Sequence, residues 1–243
     1  MLLYFSATGN CKYVASRISQ ATGEEKFSIV DCLEQGRLSF RDKQIGIASP
    51  TYDWALPSFT REFLAKANLE AGYPYYVATY GTTPGASSAY AQKYLGGNFD
   101  AFYSVRMPDT WTPVFDLSTP EKVAAFSGST EDEIDSVIRH LEAQDRGQFM
   151  RNRMPLPLVA VVYPFYERVR RTSNLHVGDA CIGCGLCARK CPVHAIEMRD
   201  GRPVWVKGKC AMCLGCLHRC PNSRFSTETE RGRALTVNTR TRM

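Results

Sequence analysis

The chain has 243 residues, 44% hydrophobic and 22% charged, the balance of a globular protein with a real core, which excludes a disordered or fibrous chain. Thirty Lys and Arg against 24 Asp and Glu leave a net charge of +6, spread along the chain with no run of five or six like charges, so nucleic-acid binding gets no special support. Ten cysteines are unevenly placed, eight of them between Cys181 and Cys220, and a boundary is expected before residue 181.

Residues 1–6 carry neither a basic region nor a small-residue cleavage site. They read as a buried first strand, not a signal peptide, and predict a cytoplasmic protein. Up to about residue 105, short apolar runs alternate with amphipathic segments, the pattern of βα units around a parallel sheet. Residues 2–5, 26–30, 44–49, 75–80 and 99–107 are the five predicted strands. Cys11, Val14, Ala15 and Ile18 share one face of a helix, as do Leu56, Phe59 and Phe63. Thr130 and Glu133 have capping-box spacing ahead of a helix over 130–145. Together these predict an α/β, doubly wound, five-stranded domain over residues 1–146. Residues 147–174 form a basic connector, with Arg151, Arg153, Arg168, Arg170 and Arg171 and a helix near 157–172. Its proline-broken apolar stretch, 154–166, is too short to span a bilayer and reads as packing surface, with no membrane contact expected.

Residues 175–226 contain an internal repeat. Cys181-x-x-Cys184-x-x-Cys187-x-x-x-Cys191-Pro192 returns as Cys210-x-x-Cys213-x-x-Cys216-x-x-x-Cys220-Pro221. An Asp200-Gly201 turn predicts a hairpin between the halves, and residues 227–243 form a polar tail. Cytoplasmic thiols stay reduced, so this density argues for metal or redox chemistry over disulfides. Thiolates are soft ligands suited to iron–sulfur clusters. Paired structural zinc sites are the alternative, but they seldom use a third thiolate and a Cys-Pro, twice over. The repeat resembles the bacterial two-[4Fe-4S] ferredoxin. That resemblance implies a small α+β domain in which Cys181, Cys184, Cys187 and Cys220 hold one cluster, and Cys210, Cys213, Cys216 and Cys191 the other. Gly183, Gly185 and Gly215 are the positions expected to let backbone approach the clusters. The second half departs by ending in Cys220-Pro-Asn-Ser-Arg-Phe225, which leaves its exit strand open.

Between the first strand and first helix lies Ser6-Ala7-Thr8-Gly9-Asn10-Cys11, where free N–H groups and the helix dipole favour a phosphate. The loop lacks the glycine–lysine signature of nucleotide triphosphate loops and the three-glycine dinucleotide pattern. With hydroxyls at Ser6 and Thr8 and a turn at Gly9, it resembles the flavodoxin phosphate loop, which holds the phosphate of FMN. Cys11 departs from that pattern by replacing a hydroxyl with a weaker donor. Pro50-Thr51-Tyr52-Asp53-Trp54 and Thr79-Tyr80-Gly81 follow the third and fourth strands, at the sheet edge where ligands bind in this architecture. The resemblance implies that Tyr52, Trp54 and Tyr80 face the flavin, although any one of them could be ordinary core packing. Trp111 is a weaker candidate. Cys11 and Cys32 also suit the role of small buried thiols.

The whole chain resembles the flavodoxin–ferredoxin fusion proteins of anaerobic bacteria and archaea. The resemblance implies sheet order 2-1-3-4-5, one FMN, two [4Fe-4S] clusters, and electron transfer between one- and two-electron carriers, with a redox-protein donor or acceptor. An FMN-dependent reductase of a small molecule and a redox-sensing binding module are the alternatives. No catalytic acid, base or nucleophile stands out. Two clusters and one FMN phosphate would bring the +6 chain close to neutrality.

Overall fold

The computed structural model describes residues 1–111, 115, 119–222 and 225–227, so the tail expected beyond Thr227 lies outside the described residues. The chain divides into two compact units, Met1–Pro108 with Phe126–Tyr163, and Asp109–Ala125 with Pro164–Met243.

The first unit is a parallel α/β sheet. Its strands are β1 (Leu2–Tyr4), β2 (Lys26–Ser28), β3 (Ser39–Pro50), β4 (Asn68–Tyr80), β5 (Ala101–Arg106) and β6 (Gly147–Gln148), in the order β2-β1-β3-β4-β5-β6. The expected order 2-1-3-4-5 therefore stands. The five-strand expectation is corrected by β6, a two-residue strand paired to Ala101 and Phe102, too short and too polar to leave a sequence pattern. Helix α1 (Asn10–Thr22) buries Cys11, Val14, Ala15 and Ile18 as its 3.6-residue periodicity requires. These side chains join Leu2, Ala48, Val77 and Val105 from the sheet, and Ile134, Val137 and Leu141 from α6 (Thr130–Glu142), in one core. Helix α3 (Ser58–Lys66) buries Phe59, Thr60, Phe63 and Leu64; α4 (Ser87–Tyr94) precedes β5. A short helix, α5 (Pro120–Ser127), leads into α6.

Three local differences from the sequence pattern have physical causes. The strand expected over 26–30 stops at Ser28, whose hydroxyl accepts from the Asp31 N–H at 3.4 Å and so caps α2 (Ile29–Glu34), with Ile29 and Cys32 on its buried face. Strands β3 and β4 start well before their apolar runs. Ser39–Asp42 pair with Asn68–Ala71 at the solvated end of the sheet, where polar side chains incur no desolvation penalty. Glu133 does not close a capping box with Thr130. One of its carboxylate oxygens accepts from the Arg106 N–H at 2.6 Å, satisfying the end of β5, and the other accepts from the Ser129 hydroxyl at 2.9 Å.

Helix α7 (Leu156–Val169) follows. In the second unit, β7 (Leu175–Val177) pairs antiparallel with β10 (Phe225–Thr227), which supplies the exit strand left open by the sequence. Helix α8 (Leu186–Arg189) holds the third cysteine of the first set, Cys187, and α9 (Gly215–Arg219) its counterpart Cys216. Between them β8 (Ile196–Arg199) and β9 (Arg202–Trp205) form the expected hairpin, with Asp200 and Gly201 both left-handed at φ 49° and 73°. Among the described residues, no helix is long and apolar enough to cross a membrane.

Candidate functional site

Two sites emerge, one in each unit. In the first unit, β1, β3 and β4 are neighbours and run parallel, so the loops after them share the C-terminal edge of the sheet. After β1, Gly9 turns at φ 120° and its N–H donates to the Ser6 hydroxyl at 3.3 Å. Helix α1 begins behind it with no side-chain cap and no acidic residue in its first turn. Its first N–H groups and its positive dipole end are thus available to an anion. Lys12 is exposed on that same turn, a cation the sequence reading passed over because it lies outside the phosphate-loop pattern.

The expected residues divide by position. Ser6 and Thr8 are half-buried in the loop, Ala7 is buried, and Gly9 is exposed. The Asn10 amide donates to the Pro108 carbonyl at 2.8 Å, tying the start of α1 to the end of β5. Cys11 turns inward: it is 1% exposed, burial pushes its thiol up to about 12, and it faces the Thr79 hydroxyl, itself buried. Cys11 and Thr79 therefore belong to the core beneath the loops, because α1 presents position 11 on the same face as Val14 and Ile18. Cys32 is buried too.

The second loop is a tight turn. Tyr52 N–H donates to Ala55 O at 2.9 Å and Ala55 N–H to Tyr52 O at 3.0 Å, with Asp53 and Trp54 both left-handed at φ 48° and 64°. Neither residue is a glycine or asparagine, so the turn is held at a cost in backbone strain of the kind found at ligand sites. Thr51 N–H reaches Thr79 O at 2.9 Å, and the Tyr52 ring meets Phe5 edge-on. The third loop clasps the second. Ala86 N–H donates to Trp54 O at 2.8 Å, and a Cβ on Gly85 would sit 2.2 Å from that same oxygen. Met154 N–H donates to Gly85 O, and the Thr83 hydroxyl to Asn152 O, so residues 152–154 brace the clasp from behind. Arg106 donates to Gly81 O at 3.3 Å. Tyr80 is half-buried and burial pushes its hydroxyl up; Arg106, also missed by the sequence reading, lies near enough to oppose that shift.

Two buried oxygens in the second loop, Thr51 Oγ1 and Asp53 Oδ2, have no hydrogen-bond partner among the described residues. Desolvation pushes the Asp53 carboxyl up. Orphaned polar atoms of this kind are rare and call for a partner. A planar ligand with donors and acceptors along one edge, bearing a phosphate at the other end, has the chemistry the three loops leave unmet, and FMN has that chemistry.

In the second unit the eight repeat cysteines fall into two groups. Cys181, Cys184, Cys187 and Cys220 line one cavity, walled by Met198 and Pro203. Cys191, Cys210, Cys213 and Cys216 line another, walled by Ile196 and Trp205. Each cavity thus takes three cysteines from one half of the repeat and one from the other. The sulfurs ring a cavity and do not converge on a point, a donor set that suits a polynuclear cluster. Backbone N–H groups already address them: Ala195 donates to Cys191 Sγ at 3.3 Å and Met212 to Cys210 Sγ at 3.2 Å.

The loop geometry repeats more faithfully than the sequence. Gly183 and Gly185 are left-handed at φ 67° and 69°, and their counterparts Met212 and Leu214 are left-handed at φ 51° and 53°. Gly215 begins α9 outside that conformation, and its backbone N–H bonds the Cys213 sulfur, the kind of approach expected of it. The second half adopts a glycine conformation without glycines, because Met212, Leu214 and Leu217 are buried and their apolar contact offsets the strain. Gly183 has no such freedom: a Cβ there would lie 2.7 Å from the Gly201 carbonyl oxygen. Gly183→Ala is therefore expected to destabilise its cavity by about 1–3 kcal/mol, read as a fall in the iron content of the purified protein. Gly208→Ala, where a Cβ would meet nothing within 4 Å, should leave it intact.

The cavities differ in exposure. Cys184 and Ile182 are exposed beside the first, whereas burial pushes the Cys213 thiol of the second up to about 11 and that of Cys216 further. Cations compensate the second cavity. Arg170 donates to Cys210 O at 2.7 Å, and Arg219 lies close enough to oppose the shift at Cys213. His218 Nε2 bonds Thr110 O at 2.9 Å, and Trp111 N–H bonds Asp109, so this stretch packs with the cysteine-rich unit.

A family model of a flavodoxin domain matches residues 1–136, and a model of a 4Fe-4S dicluster domain matches residues 174–221. No curated protein matches the chain. Among solved structures it is similar to the rubredoxin oxygen:oxidoreductase of the anaerobe Desulfovibrio gigas, at 13% identity and a TM-score of 0.35. That match covers 59% of this chain and only 36% of the other. The Trp repressor binding protein of Bacillus subtilis matches at 11% identity and a TM-score of 0.36, covering 58% of this chain and 97% of its own. A flavodoxin from the domain Archaea matches at 15% and 0.30, covering 57% and 97%.

Proposed function

We propose, from the premise that this chain belongs to the flavodoxin–ferredoxin fusion proteins, that it carries electrons between one FMN and two [4Fe-4S] clusters. Flavin exchanges electrons singly or in pairs and each cluster exchanges one, so the pair of cofactors links two-electron to one-electron carriers. The observation that carries this reading is the crossed grouping of eight cysteines around two cavities, three from one half of the repeat and one from the other.

The chain's own residues supply the rest. The N-terminal turn of α1, Ser6, Thr8 and Lys12 bind a phosphate. The strained Asp53–Trp54 turn and Tyr80 hold the flavin ring, Thr51 and Asp53 meet its polar edge, and Arg106 fixes the Gly81 carbonyl. In the cysteine-rich unit, amide hydrogens on the sulfurs and the guanidinium groups of Arg170 and Arg219 favour added electrons at the second cavity. A redox protein is the expected donor or acceptor.

The exposed cavity should also lose its metal first. Oxidative chelation is expected to remove iron in two phases of equal size, the fast one abolished in a Cys184→Ala variant. A single phase in the parent protein would contradict the difference in exposure.

The overall test is anaerobic purification with iron, sulfide and FMN quantified, followed by stepwise reductive titration under visible and electron paramagnetic resonance spectroscopy. About eight irons and one FMN that equilibrate on reduction are expected. Zinc in place of iron, or no flavin after reconstitution, overturns the reading.

A further inference from the structure

Helix α7 carries an outward face that does not suit a solvated surface. Val159, Tyr163 and Tyr166, spaced by four and three residues, are its buried side, and the Tyr163 hydroxyl donates to Leu56 O. Every exposed position from Leu156 to Phe165 is apolar, with Val161 79% exposed, Phe165 57% and Leu158 50%. The sequence pattern reads this stretch as packing surface, and its outward half does not pack. Contiguous apolar surface of this kind marks an interaction site.

The charges around it are of one sign. Arg151 and Arg153 precede the helix, Arg168 lies in its last turn and Arg171 just beyond; all four are exposed, and none has a carboxylate partner among the described residues. Glu167, the one acidic residue of the helix, is taken by Arg170 at 2.7 Å and Lys209 at 3.0 Å. An apolar face bracketed by unpaired arginines is the pattern of a helix lying in a bilayer interface, its aliphatic side among acyl chains and its cations at headgroup phosphates.

Length and charge select among occupants. Ten residues of helix extend about 15 Å, half the hydrocarbon thickness, so the helix can lie on a membrane and not cross it. A second copy of the chain would bring arginines against arginines in either orientation of paired helices. A protein partner would ordinarily find polar side chains within its footprint, and the exposed side chains from Leu156 to Phe165 include none. We therefore propose that helix α7 docks the protein on anionic lipid surfaces, a peripheral membrane contact independent of the redox reading.

The test uses the full-length holoprotein in co-sedimentation with vesicles of phosphatidylcholine alone and with about 30% phosphatidylglycerol added. Partition at least about tenfold higher onto the anionic vesicles is expected, falling when salt is raised about tenfold. Val161→Gln combined with Phe165→Gln should lower that partition about tenfold while iron and FMN contents stay at parental values, since both side chains are exposed. Equal partition onto both vesicle types, or no effect of the double substitution, overturns the proposal. So does a soluble dimer that the substitutions dissociate in the absence of vesicle binding, which would assign the face to a second copy.

Discussion

Cys191→Ala is expected to remove the cluster proposed to take Cys210, Cys213 and Cys216, nineteen or more residues downstream of it, as its other ligands, and to spare the cluster proposed for its own neighbours. Cys191 follows Cys187 closely in sequence, yet it lines the cavity of the second half of the repeat, and Cys220 lines that of the first. Three thiolates spaced by two residues wrap one cavity, and the chain then leaves through a Cys-Pro too far round to close it. Iron should fall from about eight toward about four. The surviving reduced spectrum should match that of Cys213→Ala and complement that of Cys187→Ala. If Cys191→Ala and Cys187→Ala leave the same spectrum, ligation follows sequence order and the crossed arrangement is wrong. Alanine, which cannot ligate, keeps the comparison free of substitute oxygen ligands.

The second large effect is expected at Gly9. Its φ of 120° lies where L side chains are strained, and a Cβ there would meet nothing within 4 Å. The effect of Gly9→Val is thus conformational and not a clash. To relieve about 1–3 kcal/mol of strain the loop must rotate, which turns the first N–H groups of α1 away from the phosphate. FMN affinity of the reconstituted apoprotein should fall by about 10- to 100-fold, measured by quenching of flavin fluorescence, with iron content unchanged. Unaltered affinity would mean that the phosphate is held elsewhere.

Much of the architecture was legible because it rests on local rules. The periodicity of Cys11, Val14, Ala15 and Ile18 located α1 and its buried face, and strand-like runs separated by helical segments predicted a parallel sheet, whose order the family resemblance implied. The Asp200-Gly201 hairpin followed from turn chemistry, and the doubled cysteine motif from spacing alone. The flavin loops could be located because loops after parallel strands share one edge.

Other features depend on partners distant in sequence. Met212 and Leu214 carry no sign of left-handed backbone; their burial within the cysteine-rich unit makes the strain tolerable. The thiol of Cys11 sits beside a phosphate-loop pattern in sequence, but helix geometry commits it to the core against Thr79. The polar halves of β3 and β4 pair because each finds the other, not because either reads as a strand. The sequence by itself determined the main helices and strands of the first unit and the spacing of the chemical groups, since these follow from periodicity and turn stereochemistry along a few consecutive residues, whereas the strand order came from the family resemblance. Only the tertiary structure decided which apolar side chains find neighbours. Val159 and Val161, two residues apart and identical in chemistry, end as a core residue and an exposed one because a helix can bury only the side that faces its own fold.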